Sequence, residues 1–595
     1  MNDLRELLAA LRAEGDLLEV EAEADPRLEI PEIHRRVIAQ GGPALLFRRP
    51  KGSPFPVVTN LFGTAKRIEI AFGRRPLDFV RTAVRASHEL LPPTAGKLWG
   101  FRSFLAEALR VGTKEVSRAP VTEVVETEPD LTRLPALTQW PEDGGPFLTL
   151  PLVYTEHPER GEHNLGMYRI QIHGPRLTGV HWQIGKGGGF HHHAAEARGE
   201  ALPVTVFLGG PPALILAAIA PLPEGVPELL LASLLLGRRL PVARVPGQRH
   251  RLVAGAEFAI VGTVPPGTRR PEGPFGDHYG YYSLAHDYPV LEVERVFRRR
   301  DAVFPATVVG KPVQEDFLIG DFLQELLSPL FPVVMPGVVA LQTYGDTGFH
   351  SLAAAVVRDR YGREAISTAF RILGEGQLAL TKFLLLTDAP VDLRDFRALL
   401  EAVLSRCRFE TDLFVVSNLA MDTLDYTGPK VNEGSKGVLA GLGAPVRDLP
   451  RAFEGDLPAG AIAAEAFCGG ALCVSGPSFA EDAGFASRLS RDPAVAGWPL
   501  VALVDDAAAA ARGPRSFLWH VFTRFEPGAD VQASRAEVVR NQIARTAPIV
   551  LDARMKPWMP GVVEPDAATV ALVDRRWREY FPARGPLGRP GEGPE

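Results

Sequence analysis

The sequence predicts a multidomain α/β protein with a β-rich middle domain, and three observations support this class. The chain has 595 residues, so one hydrophobic core is too few and roughly two to four domains are expected. Between residues 150 and 308, short β-rich runs are separated by Gly and Pro turns, which is typical of a barrel or sandwich. Before and after this stretch, helical and strand patterns alternate.

The first domain, residues 1–125, is predicted to be a small α/β unit. Its first element is an amphipathic helix, because leucines recur at helical spacing before a glycine: Leu4, Leu7, Leu8, Leu11 and then Gly15. A helix over residues 31–40 and a strand over 44–47 follow, with further helices near 76–86 and 101–110. Residues 116–151 are rich in Pro, Thr and Glu and weakly periodic. They are predicted to be a connection that contains the domain boundary.

The middle domain, residues 126–315, is predicted to be dominated by strands. The strands are expected at residues 152–155, 167–172, 204–208, 258–264 and 290–297. Two helices, over residues 192–198 and 227–236, interrupt them. We reject a Rossmann fold, because no Gly-x-Gly-x-x-Gly follows a strand and opens a helix with an acid about 20 residues later.

The third domain, residues 316–582, is predicted to be α/β. Helical and strand patterns alternate through the segments 322–330, 337–342, 350–359, 365–373, 379–387, 393–405 and 413–417. A further α/β stretch covers residues 498–551, and the Gly/Pro-rich tail 583–595 is expected to be disordered. The sequence shows no internal repeat.

Composition excludes several functional classes. The net charge of −6, with acidic and basic residues mixed throughout, argues against a nucleic-acid partner. Three cysteines without metal-ligand spacing, Cys407, Cys468 and Cys473, are expected to be buried thiols of a cytosolic protein. The N-terminus does not resemble a secretory signal, and the apolar run 229–236 is too short for a transmembrane span.

Two separated segments carry the polar groups that a buried catalytic site needs. Asn164 and Arg169 lie in the run NLGMYR, and Glu272 and Asp277 flank the turn GPFG about a hundred residues later. Gly and Pro between the two acids exclude a helix, so the turn can direct both carboxylates into one pocket, where one could act as a proton donor. Arg169, in a predicted strand, could pair with either carboxylate. The alternative is a solvated loop with two unrelated acids.

Two further segments, one rich in glycine and one in histidine, raise the possibility of a phosphate site and a metal site. Lys186 and the glycines that follow could hold a phosphate through backbone amides, although the spacing differs from a Walker motif and a flexible loop is the alternative. The adjacent His191, His192 and His193 cannot all face one metal ion on a helix or strand. They favour the start of a surface helix.

Taken in order, these motifs resemble the UbiD family of decarboxylases. The resemblance rests on NLGMYR (164–169), HWQ (181–183), KG (186–187), GGPPA (209–213), AE (256–257) and EGPFGDHYGYY (272–282). It implies a split β-barrel, related to flavin-reductase folds, as the middle domain. It also implies a prenylated FMN cofactor, a divalent metal (Mn²⁺ or Mg²⁺) and K⁺.

The resemblance assigns roles to individual residues. Arg169, Glu272 and Asp277 match the family's catalytic set, with Asp277 as the proton donor. Positions that match cofactor-binding residues are Met167, Tyr168, Arg169, His181, Trp182, Gln183, Lys186 and Gly187. Asn164 and Glu257 match metal ligands, and His181 is the candidate third ligand, since this chain has no histidine near residues 185–186.

Chain length and the closing segments 516–524 and 549–554 are similar to the menaquinone-biosynthesis subgroup, which implies a dihydroxynaphthoate-type substrate. Alternatives are a 3-polyprenyl-4-hydroxybenzoate decarboxylase of ubiquinone biosynthesis, a catabolic benzoate, furoate or cinnamate-type decarboxylase, and a flavin-binding module without catalysis. The resemblance further implies a flavin prenyltransferase as cofactor supplier and a homo-oligomer, a dimer or hexamer, formed through the C-terminal domain. The location implied is cytoplasmic, at the membrane surface if the substrate is prenylated.

Overall fold

The computed structural model describes residues 1–182, 186–222, 226–311 and 313–582. The predicted cofactor residue Gln183 and the predicted disordered tail 583–595 lie outside the described residues. Two compact units are distinguished, one formed by Met1–Leu326 with the closing segment from Gly561, and the other by Leu327–Pro560.

The helices of three and more turns alternate with shorter ones along the chain. They are α1 (Leu4–Ala13), α2 (Glu29–Ala39), α3 (Ala65–Phe72), α4 (Arg75–Glu89), α5 (Ala95–Gly100), α6 (Arg102–Ala108), α7 (Gly187–Ala197), α8 (Ala213–Ile219), α9 (Glu228–Leu236), α10 (Glu315–Leu327), α11 (Phe331–Val334), α12 (Glu364–Ile372), α13 (Phe396–Arg406), α14 (Phe409–Asp412), α15 (Phe485–Leu489), α16 (Ala507–Ala511), α17 (Pro514–Phe522), α18 (Pro527–Asp530) and α19 (Ala567–Tyr580).

Most strands are short, and the longest are β18 with 13 residues and β29 with 11. They are β1 (Leu17–Val20), β2 (Ala44–Phe47), β3 (Val57–Thr59), β4 (Thr113–Glu115), β5 (Val124–Glu126), β6 (Phe147–Leu148), β7 (Leu152–Glu156), β8 (His163–Met167), β9 (Ile170–Gly174), β10 (Leu177–Gly179), β11 (Leu202–Leu208), β12 (Leu240–Ala243), β13 (Leu252–Val253), β14 (Phe258–Val264), β15 (Arg269–Glu272), β16 (Phe275–Gly276), β17 (Tyr282–Ser283), β18 (His286–Arg298), β19 (Phe304–Pro305), β20 (Val338–Thr343), β21 (Leu352–Val357), β22 (Phe383–Thr387), β23 (Leu413–Ala420), β24 (Glu433–Gly441), β25 (Ala463–Cys468), β26 (Ala471–Ser475), β27 (Leu500–Val504), β28 (Val531–Val539) and β29 (Gln542–Asp552).

The first unit is built on a ten-stranded antiparallel sheet, which agrees with the predicted β-rich middle of the chain. Its strand order is β6-β9-β10-β18-β14-β11-β7-β8, and β5 and β15 also pair with β18. A smaller sheet, β1-β2-β3-β19, lies in the same unit. Phe47, Val206 and Phe304 share one core with Val573 and Trp577 of α19, so the end of the chain stabilises this unit.

The first helix forms as its leucine spacing predicts. All four of its leucines are buried, and the Asp3 carboxylate caps it by accepting the backbone N–H of Glu6 at 2.9 Å. The three cysteines, all within the described chain, are buried thiols without a disulfide, as predicted.

The second unit contains an internal repeat, so the prediction that the chain has none is wrong. Its two five-stranded sheets, β20-β21-β22-β24-β23 and β25-β26-β27-β29-β28, have the same strand order and the same pairing. In each sheet the two outer pairs are antiparallel and the two inner pairs are parallel.

The two copies of the repeat also share a local capping motif. The one-turn helices α14 and α18 each end in an aspartate that accepts a backbone N–H from four residues earlier: Arg408 to Asp412 at 2.8 Å and Glu526 to Asp530 at 2.7 Å. Each aspartate precedes the outer strand of a hairpin, β23 or β28. The two segments, RFETD at 408–412 and EPGAD at 526–530, share only the final aspartate, which is too little to identify a repeat.

Two other sequence-based predictions need correction. The predicted strand over 167–172 is two strands, β8 and β9, with a break between them. The histidines 191–193 were expected on a surface helix, but His191 and His192 are buried in the middle of α7, which packs on β7, β8 and β11. Packing against the sheet therefore outweighs the polarity of the imidazoles.

One stretch, Glu315–Val334, has the length and apolar composition of a membrane span. The core helix of a soluble protein satisfies the same criterion, so this evidence is weak.

Candidate active site

Arg169 lies in the two-residue break between β8 and β9, not inside a strand as predicted. At the break the chain changes its pairing partners, from β7 to β6 and β10, and Tyr168 folds back over Gly166, where a Cβ atom would lie 2.3 Å from the tyrosine ring. In a continuous strand, residues five apart such as Asn164 and Arg169 would face opposite sides of the sheet. Because of the break, the direction of the Arg169 side chain is not fixed by the alternation of a continuous strand.

The guanidinium of Arg169 connects the two predicted acids. Its Nε donates to Glu272 Oε1 at 2.8 Å and its Nη2 to Glu272 Oε2 at 3.1 Å, a bidentate pair. Nη1 donates to Asp277, and Nη2 also donates to Ser283 Oγ at 2.9 Å. The guanidinium carbon lies 4.7 Å from the centre of the Phe275 ring. The structure thus brings together the three residues predicted to be catalytic.

Gln171, on β9, holds the first part of the turn between the acids. Its Oε1 accepts the backbone N–H of Gly273 at 2.8 Å, and its Nε2 donates to the backbone oxygen of Gly144 at 2.7 Å. One side chain therefore joins the turn to the connection that precedes β6.

Asp143 holds the second part of the turn. Its Oδ1 accepts the backbone N–H of Gly276 at 2.8 Å, and its Oδ2 accepts those of Gln139 and Trp140 at 2.7 and 3.0 Å. Burial raises the pKa of Asp143 to about 6, although these three N–H groups act in the opposite direction. Gly276 has to be glycine, because a Cβ there would lie 2.1 Å from Trp140.

Glu272 is fully buried and ionised. Burial alone would raise its pKa, but the charge of Arg169 and the contact with His181 lower the pKa to about 2. His181 Nδ1 lies 2.8 Å from Glu272 Oε2, and its ring packs on Tyr288 with centroids 4.2 Å apart. Burial, followed by the charge of Arg169, lowers the pKa of His181, so the imidazole is neutral and Nδ1 is the donor.

Asp277 is also held as a carboxylate. Burial would raise its pKa, but bonds to His278 and the charge of Arg169 place the pKa below its usual range. His278 Nδ1 lies 2.5 Å from Asp277 Oδ1, and the imidazole is partly exposed. Asp316 of α10 is coupled to both groups, and burial raises its pKa to about 6. Asp277 therefore lies between a buried cation and a histidine that reaches the surface.

Asn164, on β8, meets a carboxylate that the sequence analysis did not select. Its Nδ2 donates to Glu228 Oε1 at 2.6 Å, while Glu228 Oε2 accepts the backbone N–H of Leu165 at 2.9 Å. The Tyr168 hydroxyl donates to Asn164 Oδ1 at 3.2 Å. An amide oxygen and a carboxylate are hard donors suited to Mn²⁺ or Mg²⁺, so these two residues are the candidate metal ligands; a metal between them would require the Asn164 oxygen, which here accepts from Tyr168, to turn toward Glu228.

Glu257 does not meet Asn164, which corrects the predicted pairing of these residues on one metal. The Glu257 backbone N–H donates to the backbone oxygen of Leu208, at one end of β11. Asn164 pairs with Thr155 of β7, which in turn pairs with Val204 of β11. Four residues of strand separate the two positions by roughly 13 Å along the sheet. The Glu257 carboxylate instead forms a bidentate pair with Arg5 of α1, at 2.8 Å for both bonds. Its role is to fasten α1 to the sheet.

His181 does not contact the Asn164–Glu228 pair either, because its Nδ1 bonds to Glu272 and its Nε2 faces the Tyr288 hydroxyl at 3.4 Å. Within the described ranges, no three His, Cys, Asp or Glu side chains converge as metal ligands. The predicted metal set of Asn164, Glu257 and His181 therefore does not assemble in this structure.

The N-terminus of α7 lies against the same break in the sheet. The backbone N–H of Gly188 donates to the Tyr168 hydroxyl at 3.3 Å, and a Cβ on Gly187 would lie 2.7 Å from Asn164 Nδ2. Trp182 Nε1 is buried without a hydrogen-bond partner among the described residues. Lys186 is the N-cap residue of α7, and Met167 is half-buried at the end of β8. Helix amides, a lysine and an orphaned indole N–H fit an anionic group such as a flavin phosphate.

Sequence reasoning missed the residues that support the site, chiefly Glu228, Asp143, Gln171 and His278. Glu228 was visible only as the acid that closes the apolar run 229–236, and its position at the start of a predicted helix was the available signal. Asp143 lies in the weakly periodic connection, where no pattern distinguished it.

Comparison with known families identifies three matching regions. The sequence models of the N-terminal, Rift-related and C-terminal domains of 3-octaprenyl-4-hydroxybenzoate carboxy-lyase, the UbiD family, match residues 8–87, 113–312 and 317–441. Together these regions cover more than half of the chain, and they account for its mixed α/β content in three domains.

Individual relatives agree with the family match. A Chlamydia pneumoniae protein, named as one subunit of a 4-hydroxybenzoate decarboxylase, is 47% identical over 583 residues, covering 98% of this chain and 99% of the relative. The UbiD-class enzyme HmfF of Pelotomaculum thermopropionicum, solved with FMN, is 28% identical, with a TM-score of 0.61 over 75% of this chain and 95% of that one. Vanillic acid decarboxylase of Sedimentibacter hydroxybenzoicus, 24% identical, shares the fold, with a TM-score of 0.67 over 77% and 95%.

Proposed function

The chain belongs to the UbiD family of carboxy-lyases, and from that premise we propose that it removes the carboxylate of an aromatic acid with the help of prenylated FMN. The observation that carries the proposal is the Arg169 guanidinium bonded to both Glu272 and Asp277 in a buried cluster. Perturbed ionisable groups of this kind are typical of proton-transfer sites.

We propose that the flavin phosphate lies at the start of α7, near Lys186, Gly187 and the Trp182 indole, because these residues offer donors to an anion. Asn164 and Glu228 would hold Mn²⁺ or Mg²⁺, and phosphate and water would complete its coordination, with K⁺ nearby. When bound, a prenylated flavin supplies an electron sink for the electron pair released as carbon dioxide leaves.

The roles of the protein's own residues follow from their charges. Decarboxylation consumes one proton, which the ring carbon takes up after the carboxylate departs. Asp277 would deliver that proton, and Arg169 with Glu272 would orient it and the substrate carboxylate. Because Asp277 rests as a carboxylate, it needs a proton before each turnover. His278, bonded to Asp277 and partly exposed, is the residue that would supply it.

We propose that the substrate is a dihydroxynaphthoate-type acid of menaquinone biosynthesis, on the length and closing segments of the chain. A hydroxybenzoate, with or without a prenyl chain, is the second candidate. The name of the Chlamydia pneumoniae relative and the description of the family favour it. Catabolic benzoate, furoate or cinnamate-type acids form a third class.

The proposal extends to the domains of the chain, the supply of its cofactor, its oligomeric state and its location. We propose domains at 1–125 and 126–315, and a third, predicted at 316–582, that ends near Pro560, because the segment from Gly561 belongs to the first unit. The ten-stranded sheet would be the split β-barrel that holds the flavin. A flavin prenyltransferase would supply the cofactor, the C-terminal domain would form a homo-oligomer, and the enzyme would act in the cytoplasm.

The test is decarboxylation by protein co-expressed with a flavin prenyltransferase and supplied with Mn²⁺. Product masses from a panel of dihydroxynaphthoates, hydroxybenzoates and catabolic acids would identify the substrate class. We expect Asp277→Asn to lower kcat by about 10²- to 10⁴-fold, because it removes the proton donor. The matched control is Asp505→Asn, which alters an aspartate in the second unit.

Two results would contradict the proposal. Full activity in both Asp277→Asn and Arg169→Ala would remove these residues from the chemistry. Flavin binding without turnover of any acid in the panel would favour a flavin-binding module.

A further inference from the structure

Residues 88–112, called the insert below, lie between the two regions matched by the N-terminal and Rift-related family models, which end at 87 and begin at 113. The insert contains α5 and α6. Neither helix contributes a buried side chain. A short helix in a globular protein normally buries one apolar face, so these two helices require another explanation.

Large apolar side chains of the insert face solvent. Leu91, Trp99 and Leu109 are 72%, 69% and 79% exposed, and Leu98 is exposed as well. The insert nevertheless has its own anchor, because Phe104 of α6 packs on Phe79 of α4 with ring centroids 4.9 Å apart. The exposed side chains therefore belong to a folded segment, although they do not pack into the hydrophobic core.

The insert and its anchoring helix α4 are together basic in a protein that is acidic overall. Residues 74–110 contain seven Lys or Arg and three Asp or Glu, which gives 7 − 3 = +4, against −6 for the whole chain, and the insert alone has 3 − 2 = +1. The Arg102 guanidinium lies 4.8 Å from the centre of the Trp99 ring, so a cation and an exposed indole lie next to each other on the surface. Tryptophan, leucine and basic residues in this combination are typical of helices that lie in the membrane interface.

We propose that the insert surface, formed by Leu91, Leu98, Trp99 and Leu109 with Arg102 and Arg110, binds the surface of an anionic lipid bilayer. The apolar side chains would enter the boundary between headgroups and acyl chains, and the arginines would remain at the phosphate level. A symmetric contact with a second copy of the chain is less favoured, because it would place Arg102 and Arg110 of one copy against the same arginines of the other.

The position of the insert suits a substrate that originates in the membrane. α4, which anchors the insert, contacts α9, and α9 begins with Glu228, the partner of Asn164. If the proposed substrate class includes a prenylated acid, this arrangement holds the cofactor site close to the bilayer. The lipid binding itself does not depend on the proposed activity.

Co-sedimentation with vesicles tests the inference on the full-length protein. We expect binding to vesicles of phosphatidylcholine and phosphatidylglycerol, weaker binding at high salt, and little binding to phosphatidylcholine alone. The variant Trp99→Ser/Leu109→Ser should lower the partition coefficient about tenfold or more. The control Trp558→Ser/Val538→Ser, which removes comparably exposed residues from the second unit, should bind like the unmodified protein.

Charge reversal separates the electrostatic contribution. Arg102→Glu/Arg110→Glu should lower binding to anionic vesicles about tenfold or more. The control Arg515→Glu/Arg535→Glu, at exposed arginines of the second unit, should have little effect. Thermal unfolding of each variant confirms that the fold is retained.

Two outcomes would overturn the inference. One is equal binding of all variants to anionic vesicles. The other is an absence of vesicle binding together with a loss of mass in sedimentation equilibrium for Trp99→Ser/Leu109→Ser, which would assign the surface to contact between copies of the chain.

Discussion

At the residue scale, one cation is shared by two carboxylates. Arg169 carries one positive charge, Glu272 and Asp277 carry two negative charges, and His181 is neutral. These three side chains, taken without their neighbours, therefore carry a net charge of −1, which a low-dielectric interior disfavours. Uptake of one proton by Asp277 would make the three neutral together, and each decarboxylation transfers one proton to product.

His278→Gln tests whether that proton arrives through the histidine. Glutamine can still donate a hydrogen bond to Asp277 but cannot pass on a proton, so we expect kcat to fall about 10- to 100-fold. KM should be unchanged, because the positions of Arg169 and Glu272 are retained. The partly exposed site should allow added imidazole to restore part of the rate. His193→Gln, at an exposed histidine of α7, is the control; an unchanged kcat in His278→Gln would exclude the relay.

Asp143 gives a prediction on pH. Its carboxylate positions the turn that carries the acids, and burial raises its pKa to about 6. Because the folded-state pKa is above the usual value, protonation occurs as pH falls through about 6, and a protonated oxygen no longer accepts all three N–H groups. We expect kcat to decline as pH falls through this value. Asp143→Asn should show low activity without this step, and a pH–rate profile identical to that of the unmodified protein would contradict the role.

The sequence predicted the catalytic cluster better than the metal pair. Arg169, Glu272 and Asp277 lie in short motifs whose composition is itself unusual, and the structure brings them together. The resemblance implied Glu257 as the partner of Asn164, whereas the structure places Glu228 there, because a sequence does not show which of two distant acids lies beside Asn164. That choice depends on strand register and on where α9 begins, both of which are tertiary features.

At the scale of elements, the cofactor side of the site depends on the close approach of α7 to β8. A helix that begins with three glycines has low intrinsic stability, yet α7 buries His191, His192 and Ala195 against the sheet. Tertiary packing thus allows a glycine-rich N-terminus whose amides lie against β8, one of them bonded to Tyr168. A sequence with better helix formers would lose that anion site.

Gly187→Ala tests this approach. The added Cβ would lie 2.7 Å from Asn164 Nδ2, so Asn164 must shift away from Glu228. We expect flavin content after purification to fall several-fold, with retention of Mn²⁺ falling in parallel, since both depend on this junction. Gly174→Ala is the control, because no atom lies within 4 Å of its added Cβ. Normal flavin and metal content in Gly187→Ala would show that cofactor binding does not depend on this junction.

Helices and strands were predictable where one face is apolar and uninterrupted. The first helix and the strand at 44–47 formed as predicted, because their leucines and neighbouring apolar residues are fully buried. The break between β8 and β9 was not predictable, since it lies where the chain changes its pairing from β7 to β6 and β10 and contains no turn residue.

At the scale of the whole molecule, the second unit is organised as two copies that share one core. Phe383 and Phe396 of the first copy pack with Phe467, Phe517 and Phe522 of the second. Each copy also keeps a separate core on its outer side. The sequence concealed the repeat, because a fold tolerates wide sequence change provided that strand order and burial persist.

The shared core predicts that the two copies unfold together. Phe396 is 1% exposed and contacts rings of both copies, so Phe396→Ala should cost about 3–5 kcal/mol. Hydrogen exchange should then accelerate in β25–β29 as well as in β20–β24, although the substitution lies in the first copy. Ile372→Ala, in the outer core of the first copy, is the matched control and should accelerate exchange mainly in β20–β24. If Phe396→Ala leaves the protection of β25–β29 unchanged, the copies are independent domains and the shared aromatic core does not couple them.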